Sequence, residues 1–372
     1  MRPPTPARAL ALALALAGAG LLYVNRVSPD ESRTLGALVL AASLAALLTR
    51  ETPGRRRALE AIAVLLLVLA GGEWAVRRET QRAQADYANS AIQFVDDPVL
   101  RYHWKPGISC GAGTTNDRGM LDVPRQTDKP PGTLRIACLG DSVGGDCSLP
   151  RDNACVALER ILRDARGGRP TEVLNFSVPG YNTLQEARAL DVRALPFSPD
   201  AAVVLYVVND PYPELAISHH LPGHLKFEHL LWSAGRFAAA KAFPGRVDPL
   251  GGLLQGFYED PRSWDGVVVA GFDRLRATAD AHHLPVVVAV FPLFLPDALP
   301  EHRAIGPRVA GEAARHGFIA LDLADAAYRD ESIEALLKPS RDMIHPNAHA
   351  HQLAAEAIAR ALLAQHPELR DR

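Results

Sequence analysis

Two stretches of this chain carry side chains that could act together as a nucleophile and its base. Ser142 follows the apolar run Arg135 to Leu139 in the sequence Gly-Asp-Ser-Val, and Asp342 and His345 stand three residues apart where the last helical pattern begins. A serine hydroxyl becomes a strong nucleophile when an imidazole takes its proton and a carboxylate fixes the tautomer of that imidazole. The order Ser, Asp, His therefore indicates covalent acyl chemistry. Taken alone, a Gly-Asp-Ser turn also fits a strand exit that caps the next helix.

Two further signals lie between these stretches. Gly180 stands in a glycine turn, Asn-Phe-Ser-Val-Pro-Gly-Tyr-Asn-Thr, that leaves a short apolar strand, and Asn209-Asp210 ends the apolar run Ala201 to Val208. In this order the set resembles the SGNH (GDSL-type) hydrolase superfamily, and the resemblance runs from Thr133 to Leu363. It implies a flavodoxin-like, three-layer α/β fold, in which a parallel sheet lies between two layers of helices.

The resemblance also implies roles for five residues. Ser142 is the expected nucleophile, and its own backbone N–H is one donor of the oxyanion hole. The Gly180 N–H and the Asn209 side-chain amide are the other two donors. His345 is the expected general base, and Asp342 is expected to orient it. We expect no metal ion and no cofactor in this mechanism.

One position departs from the family pattern. The third block usually reads Gly-x-Asn-Asp, whereas Val207 occupies the glycine position here. A side chain at this point could shift the strand and carry the Asn209 amide away from the developing oxyanion, and losing one such donor costs about 3 kcal/mol. Asp141 and Asp210 accompany the motif, and we expect them to hold turns.

From residue 134 onward, short β-branched apolar runs alternate with longer amphipathic patterns. Apolar strands that alternate with helices predict a parallel sheet covered on both faces, with its site at the carboxyl ends of the strands. Ser142, Gly180 and Asn209 each follow such an end. The predicted strands are Leu134 to Leu139, Glu172 to Phe176, Ala201 to Val208, Pro285 to Phe291 and Phe318 to Leu321. The predicted helices are Asn153 to Asp164, Leu184 to Leu195, Trp264 to His282, Arg303 to His316, and one that begins at Pro346.

The first 78 residues differ in composition, because their apolar residues are concentrated in three runs bounded by arginines. The runs are Ala9 to Val24, Leu35 to Leu48 and Ala61 to Gly72. With their small flanking residues they approach the lower limit of about 17 residues for a membrane span, and they lack the polar face of a surface helix. We expect residues 1–78 to hold about three transmembrane helices. Buried helices of a soluble domain are the alternative, and the first run also fits a signal peptide.

The placement of arginines predicts the orientation of this membrane region. Basic residues favour the cytoplasmic side, and here they precede the first run and lie between the second and third runs. They are Arg2, Arg8, Arg50, Arg55, Arg56 and Arg57. The expected location is a bacterial inner membrane, with the catalytic domain on the periplasmic or outer side. Arg77, Arg78 and Arg82 follow the third run and oppose this orientation.

The rest of the chain divides into an accessory part and a catalytic part. Residues 79–132 fit a linker or a small β-rich accessory segment, and residues 133–372 fit the hydrolase-like domain. An insertion at residues 211–261 could form a lid, an acyl-binding wall or a helix pair that fills the core. No carboxylate or cysteine pattern completes a zinc site around its clustered histidines, so a solvated loop is favoured there. These histidines are His219, His220 and His224.

The four cysteines have no metal-binding spacing. They are Cys110, Cys138, Cys147 and Cys155. Cys138 belongs to the predicted strand before Ser142, and we expect it to be a small buried hydrophobic residue. The other three could supply one disulfide, and free thiols are an equal alternative.

Composition and site together favour three functions. A net charge of −2 and the lack of a basic patch argue against a nucleic-acid partner. The leading hypothesis is a membrane-anchored serine esterase that hydrolyses an acyl ester, above all an O-acetyl ester, on an envelope glycan or lipid. The second is an O-acyltransferase that shares the acyl-serine intermediate, with a membrane partner as acyl donor. The third is a non-catalytic glycan-binding module, for which Val207 is the only support.

Overall fold

The structure is a computed structural model that describes residues 91–212, 239, 242, 253–295, 300–338 and 344–371. The predicted membrane region of residues 1–78 lies outside these ranges, as do Asp342 and most of the insertion with its three histidines. Within the ranges, no helix is both long and apolar enough to cross a bilayer.

The described chain begins with two small antiparallel strand pairs. Strands β1, Ile92–Phe94, and β2, Tyr102–Trp104, form the first pair, and β3, Ser109–Cys110, and β4, Gly113–Thr114, form the second. Tyr102 and Trp104 are fully buried although they lie in a short strand. Residues 91–131 are therefore packed against the rest of the protein through large aromatic side chains.

Short apolar runs further along the chain form a parallel sheet. Its strands are β5, Leu134–Gly140, β6, Thr171–Asn175, β7, Ala201–Tyr206, β8, Val286–Val290, and β9, Ile319–Asp322. Their spatial order is β6-β5-β7-β8-β9, and all four neighbouring pairs are parallel. Every residue of β5, β7 and β8 is buried, as expected for strands covered on both faces. The predicted α/β class with a parallel sheet is confirmed.

Helices cover both faces of this sheet. The longer ones in the described ranges are α1, Ala154–Ala165, α2, Thr183–Ala189, α3, Leu253–Glu259, α4, Ala270–His282, α5, Ile305–Arg315, and α6, Ala348–Gln365. Shorter helical turns lie at Pro261–Ser263, Pro300–Arg303, Leu323–Ala326 and Ile333–Leu336. Alternate strand residues enter two hydrophobic clusters: Val204 packs with α2, α4 and α5, whereas Val203 packs with α1 and α6. This alternation is the two-residue period of a strand between two helical layers.

Asparagine side chains begin the helices next to the strand ends. Asn153 accepts a hydrogen bond from Val156 N at the start of α1, and Asn182 forms a capping box with Gln185 at the start of α2. Such caps satisfy backbone donors that a helix leaves unpaired. They set the residues at which α1 and α2 begin after β5 and β6.

The four cysteines form two disulfides, Cys110–Cys147 and Cys138–Cys155. The expectation that Cys138 is an unpaired hydrophobic residue was wrong. Cys138 is buried as expected, but α1 packs on β5 so that the Cα atoms of Cys138 and Cys155 are 6.0 Å apart. This proximity arises from the tertiary packing of the helix on the strand, which cysteine spacing alone does not reveal.

Removing the Cys138–Cys155 bridge should destabilise the domain. It joins residues 17 positions apart, and closing a loop of this size stabilises a protein by about 3 kcal/mol. We expect the double variant Cys138→Ala/Cys155→Ala to lower the free energy of unfolding by that amount. Urea unfolding of the full chain under oxidising conditions measures it, and an unchanged midpoint would mean that the bridge adds no stability.

Candidate active site

Ser142 and His345 meet at the carboxyl edge of the sheet. Ser142 follows the end of β5, and its Oγ lies 2.8 Å from His345 Nε2. The turn after Ser142 is compact, because Gly145 N donates to Asp141 O at 2.9 Å. A side chain on Gly144 would clash with Ser177, so glycine is required for this close approach. The separation of Oγ and Nε2 allows direct proton transfer from serine to imidazole.

Asn347 fixes the backbone that carries His345. Its side chain caps α6 by accepting a hydrogen bond from Ala350 N, and its Nδ2 donates to Ala335 O at 2.7 Å and to Leu337 O at 3.0 Å. One asparagine thus joins the start of α6 to residues 335–338. An ion pair between Lys338 and Asp146 links residues 335–338 to the loop after Ser142.

Asp342 was predicted to orient His345. It lies outside the described residues, so its role stays a prediction. A second histidine, His351, lies in α6. It is fully buried, and burial lowers its pKa to about 3, so it is neutral at physiological pH.

Asp141 does more than hold a turn. It is fully buried, and its Oδ1 accepts a hydrogen bond from Val143 N at 2.9 Å. Its Oδ2 lies 3.0 Å from Asn209 Nδ2 and 3.1 Å from Ser142 Oγ. An asparagine amide has two N–H donors, so this contact leaves one for a substrate oxygen. The carboxylate therefore holds the Asn209 side chain beside Ser142.

Two backbone N–H groups at this edge of the sheet are available as oxyanion donors. Neither the Ser142 N–H nor the Gly180 N–H donates to another group within the described ranges. Gly180 has φ +79°, a conformation that favours glycine. Val178 N donates to Gly140 O at 3.1 Å, which keeps this turn next to the end of β5. The structure thus brings Ser142, Gly180, Asn209 and His345 to one edge of the sheet.

The valine at the family's glycine position does not displace Asn209. Val207 is fully buried, and its side chain packs in the cluster formed with α1 and α6. Its backbone N donates to Asp210 Oδ2 at 2.8 Å, and Asp210 N donates back to Val207 O at 3.0 Å. This reciprocal pair closes the turn after β7, and Asn209 keeps its contact with Asp141.

The accessory segment supports the Gly180 turn. Trp104 Nε1 donates to Ser177 O at 3.2 Å, and Tyr102 Oη donates to Pro179 O at 3.1 Å. In return, Tyr181 Oη donates to Tyr102 O at 2.5 Å. These three bonds hold the backbone on both sides of Gly180. We name this contact of Tyr102, Trp104 and Tyr181 with the turn the aromatic clamp.

The Cys110–Cys147 disulfide ties the same accessory segment to the loop after Ser142. Ala112 N donates to Cys147 O at 2.9 Å beside it. Sequence reasoning assigned no role to the segment, because its contacts with the site join residues that are distant in the chain. The only signals in the sequence were the tyrosine and tryptophan of a short polar stretch.

Tyr102→Phe should lower kcat for ester cleavage about fivefold with little change in KM, since a small misplacement of an oxyanion donor slows the transition state more than binding. The change removes only the hydroxyl that bonds Pro179 O. Tyr328→Phe is the matched control, because it also removes a buried hydroxyl: Tyr328 Oη donates to Ala350 O at 3.0 Å, in the hydrophobic cluster that does not contain Tyr102. Steady-state kinetics of both variants measure the effect. A kcat of Tyr102→Phe equal to that of wild type would mean that the aromatic clamp has no part in the site.

The GDSL-like lipase/acylhydrolase family profile matches residues 138–353, more than half of the chain. The chain belongs to this family. Family membership establishes a serine hydrolase that acts on ester bonds, and the match contains Ser142, Gly180, Asn209 and His345. Among curated proteins, none matches this sequence.

Solved structures of hydrolases are similar to this GDSL-like protein. The crystal structure of TesA has 17% identity and a TM-score of 0.40, covering 62% of this chain and 98% of its own. A lipase/acylhydrolase from Enterococcus faecalis has 16% identity and a TM-score of 0.40, covering 62% and 96%. A catalytic mutant of an acetylxylan esterase from Geobacillus stearothermophilus has 13% identity and a TM-score of 0.41, covering 62% and 94%.

Proposed function

We propose that this protein is a membrane-anchored serine esterase that cleaves an acyl ester, with O-acetyl as the leading candidate, on a bacterial cell-envelope glycan or lipid. The observation that carries the catalytic part is the 2.8 Å contact between Ser142 Oγ and His345 Nε2, next to the N–H groups of Ser142 and Gly180. A nucleophile, its base and oxyanion donors then surround one point where an ester carbonyl can sit.

The proposed reaction has two halves. His345 Nε2 takes the Ser142 proton as Oγ attacks the acyl carbonyl, and the negative oxygen is held by the Ser142, Gly180 and Asn209 donors. His345 gives its proton to the leaving alcohol, which leaves an acyl-serine. Water then attacks that ester while His345 removes its proton. Return of the proton to Oγ releases the carboxylic acid and restores the enzyme.

The cellular setting is proposed from two observations. Three apolar runs in residues 1–78 fit membrane helices, with the catalytic domain on the periplasmic or outer side of a bacterial inner membrane. The two disulfides fit the same side, because disulfides persist in oxidising compartments. An anchored hydrolase on that side faces envelope polymers and lipids, which supports this substrate class.

The full chain in detergent, incubated with an O-acetylated envelope polysaccharide, tests the proposal. Acetate release that disappears in Ser142→Ala is the expected result. Transfer of the acetyl group to an added deacetylated glycan, in place of release, would assign the acyltransferase function. Binding of the glycan without turnover, unchanged in Ser142→Ala, would assign a binding module and overturn the esterase proposal.

A further inference from the structure

Three carboxyl groups are fully buried behind the site, and the proposed mechanism uses none of them on substrate. They are Asp141 at the end of β5, Glu186 in α2 and Asp210 after β7, each 0% exposed. Thr183 N at the start of α2 donates to Asp210 O at 3.3 Å. Glu186 lies three residues further along the same helix, so it faces the same side as Thr183. We name Asp141, Glu186 and Asp210 the acid cluster.

Hydrogen-bond donors are unequally divided among the three carboxyls. Asp141 accepts from Val143 N and Asn209 Nδ2 and lies within hydrogen-bond distance of Ser142 Oγ. The Asp210 carboxyl accepts one hydrogen bond, from Val207 N to Oδ2. Its Oδ1 has no partner within the described ranges. Neither carboxyl oxygen of Glu186 has a partner there. A buried carboxylate without donors is far costlier than one that accepts from both Val143 N and Asn209 Nδ2, so the charge belongs on Asp141.

Electrostatics favour the same distribution. Burial and the nearby Asp141 carboxylate raise the pKa of Glu186 well above its ordinary value. Burial, Glu186 and Asp141 likewise raise the pKa of Asp210. Carboxyl groups that share one buried space cannot all ionise, so some of them keep their protons to a higher pH.

The elements around Glu186 add little charge to this cluster. From β7, Tyr206 faces the acid cluster, and burial raises its own pKa, so its hydroxyl is neutral. On α4, Gly271 lies against Thr183 and Phe272 packs on Tyr206. Within the described ranges, the charges that act on Glu186 and Asp210 are those of other carboxyls, with no basic side chain among them.

We propose that Glu186 is a positioning residue that stays protonated at neutral pH and thereby leaves the negative charge on Asp141, where it holds the Asn209 amide. The inference rests on the proposed function, because Asn209 matters only if an oxyanion forms. Ionised Glu186 would repel the Asp141 charge and weaken its hold on Asn209. Alkaline pH should therefore lower kcat through this residue.

Glu186→Gln tests this in the full chain, since glutamine imitates the neutral acid. We expect kcat at neutral pH within about threefold of wild type, and a decline at alkaline pH that is absent or shifted upward. Glu356→Gln, at an exposed position of α6, is the matched control and should reproduce the wild-type profile. An alkaline decline in Glu186→Gln identical to that of wild type would overturn the proposal.

Stability gives a readout that does not depend on activity. The folded-state pKa of Glu186 is raised above its ordinary 4.5, so the native state binds the extra proton and wild-type stability falls as pH rises above that value. Glu186→Gln lacks this loss, so its melting temperature should exceed that of wild type at alkaline pH, with the gap closing toward pH 4.5. A variant less stable than wild type at every pH would contradict a protonated Glu186.

Infrared difference spectra separate this proposal from the proposed function. Wild type minus Glu186→Gln should show the C=O stretch of a protonated carboxyl at neutral pH, whether or not the ester is cleaved. Loss of ester cleavage with that band present would reject the function and keep the protonated Glu186. A missing band with Ser142-dependent cleavage intact would reject the role of Glu186 alone.

Discussion

Ser142→Ala is expected to lower kcat for p-nitrophenyl acetate by about 10⁴- to 10⁶-fold, because it removes the atom that forms the acyl-enzyme. Its Oγ lies 2.8 Å from His345 Nε2, the expected base, so the hydroxyl is placed for deprotonation. Binding should change little, since alanine removes one half-buried hydroxyl and leaves the oxyanion donors in place. Steady-state kinetics of the full chain in detergent give the measurement.

Ser148→Ala is the matched control for this variant. Ser148 lies on the same loop but is exposed, and its Oγ bonds Asp146 and Lys338, whose ion pair with each other does not need the serine. Its replacement should leave kcat within about twofold of wild type, as is usual for a surface position outside the reacting groups. If Ser142→Ala retained more than about a tenth of the activity while its circular dichroism matched wild type, Ser142 would not be the nucleophile.

Asn209→Ala is expected to lower kcat by about 10²- to 10³-fold with KM nearly unchanged, because it removes one oxyanion donor. Asn209 Nδ2 lies 3.0 Å from Asp141 Oδ2, which fixes the amide while its second N–H remains for the substrate oxygen. This donor is needed in the transition state more than in the ground state. A split between kcat and KM therefore distinguishes catalysis from substrate binding.

Gln352→Ala supplies the control for loss of an amide, because Gln352 lies on α6 and bonds Arg160 and Glu356 at the surface. It should leave both kinetic constants unchanged. If Asn209→Ala lowered kcat by less than about threefold, Asn209 would not be an oxyanion donor. A rise in KM alone would assign Asn209 to binding of the substrate.

The parallel sheet could be predicted from the sequence because its strands are continuous apolar runs. The predicted strand Leu134 to Leu139 and the observed strand Leu134–Gly140 differ by one residue. The run Ala201 to Val208 was predicted as one strand, but β7 ends at Tyr206. The reason is local, since Val207 N bonds the Asp210 side chain and leaves the strand ladder.

Helix positions were also predictable, whereas their internal irregularities were not. The predicted helix Leu184 to Leu195 corresponds to α2 and a π-helical turn at Leu190–Ala194. The predicted helix Trp264 to His282 begins with a π-helical turn at Trp264–Val269 before α4. An apolar period reports which face is buried but does not determine the hydrogen-bond pattern of each turn.

The site was predictable where its residues follow strand ends, and not where it depends on distant contacts. Ser142, Gly180 and Asn209 follow β5, β6 and β7 in the order that the motif predicted. The hydrogen bond from Asn209 Nδ2 to Asp141 Oδ2 joins residues 68 positions apart. The aromatic clamp and both disulfides likewise arise from tertiary packing, which single-sequence patterns do not encode.

Labelling with a fluorophosphonate tests the central claim most directly, because this reagent phosphonylates a serine only when a base and an oxyanion hole activate it. The full chain should carry one adduct, located on Ser142 by fragmentation of the labelled peptide. The adduct should be absent in Ser142→Ala and form far more slowly in His345→Ala. A folded chain that stays unlabelled, or one labelled at another residue, would contradict Ser142 as the activated nucleophile.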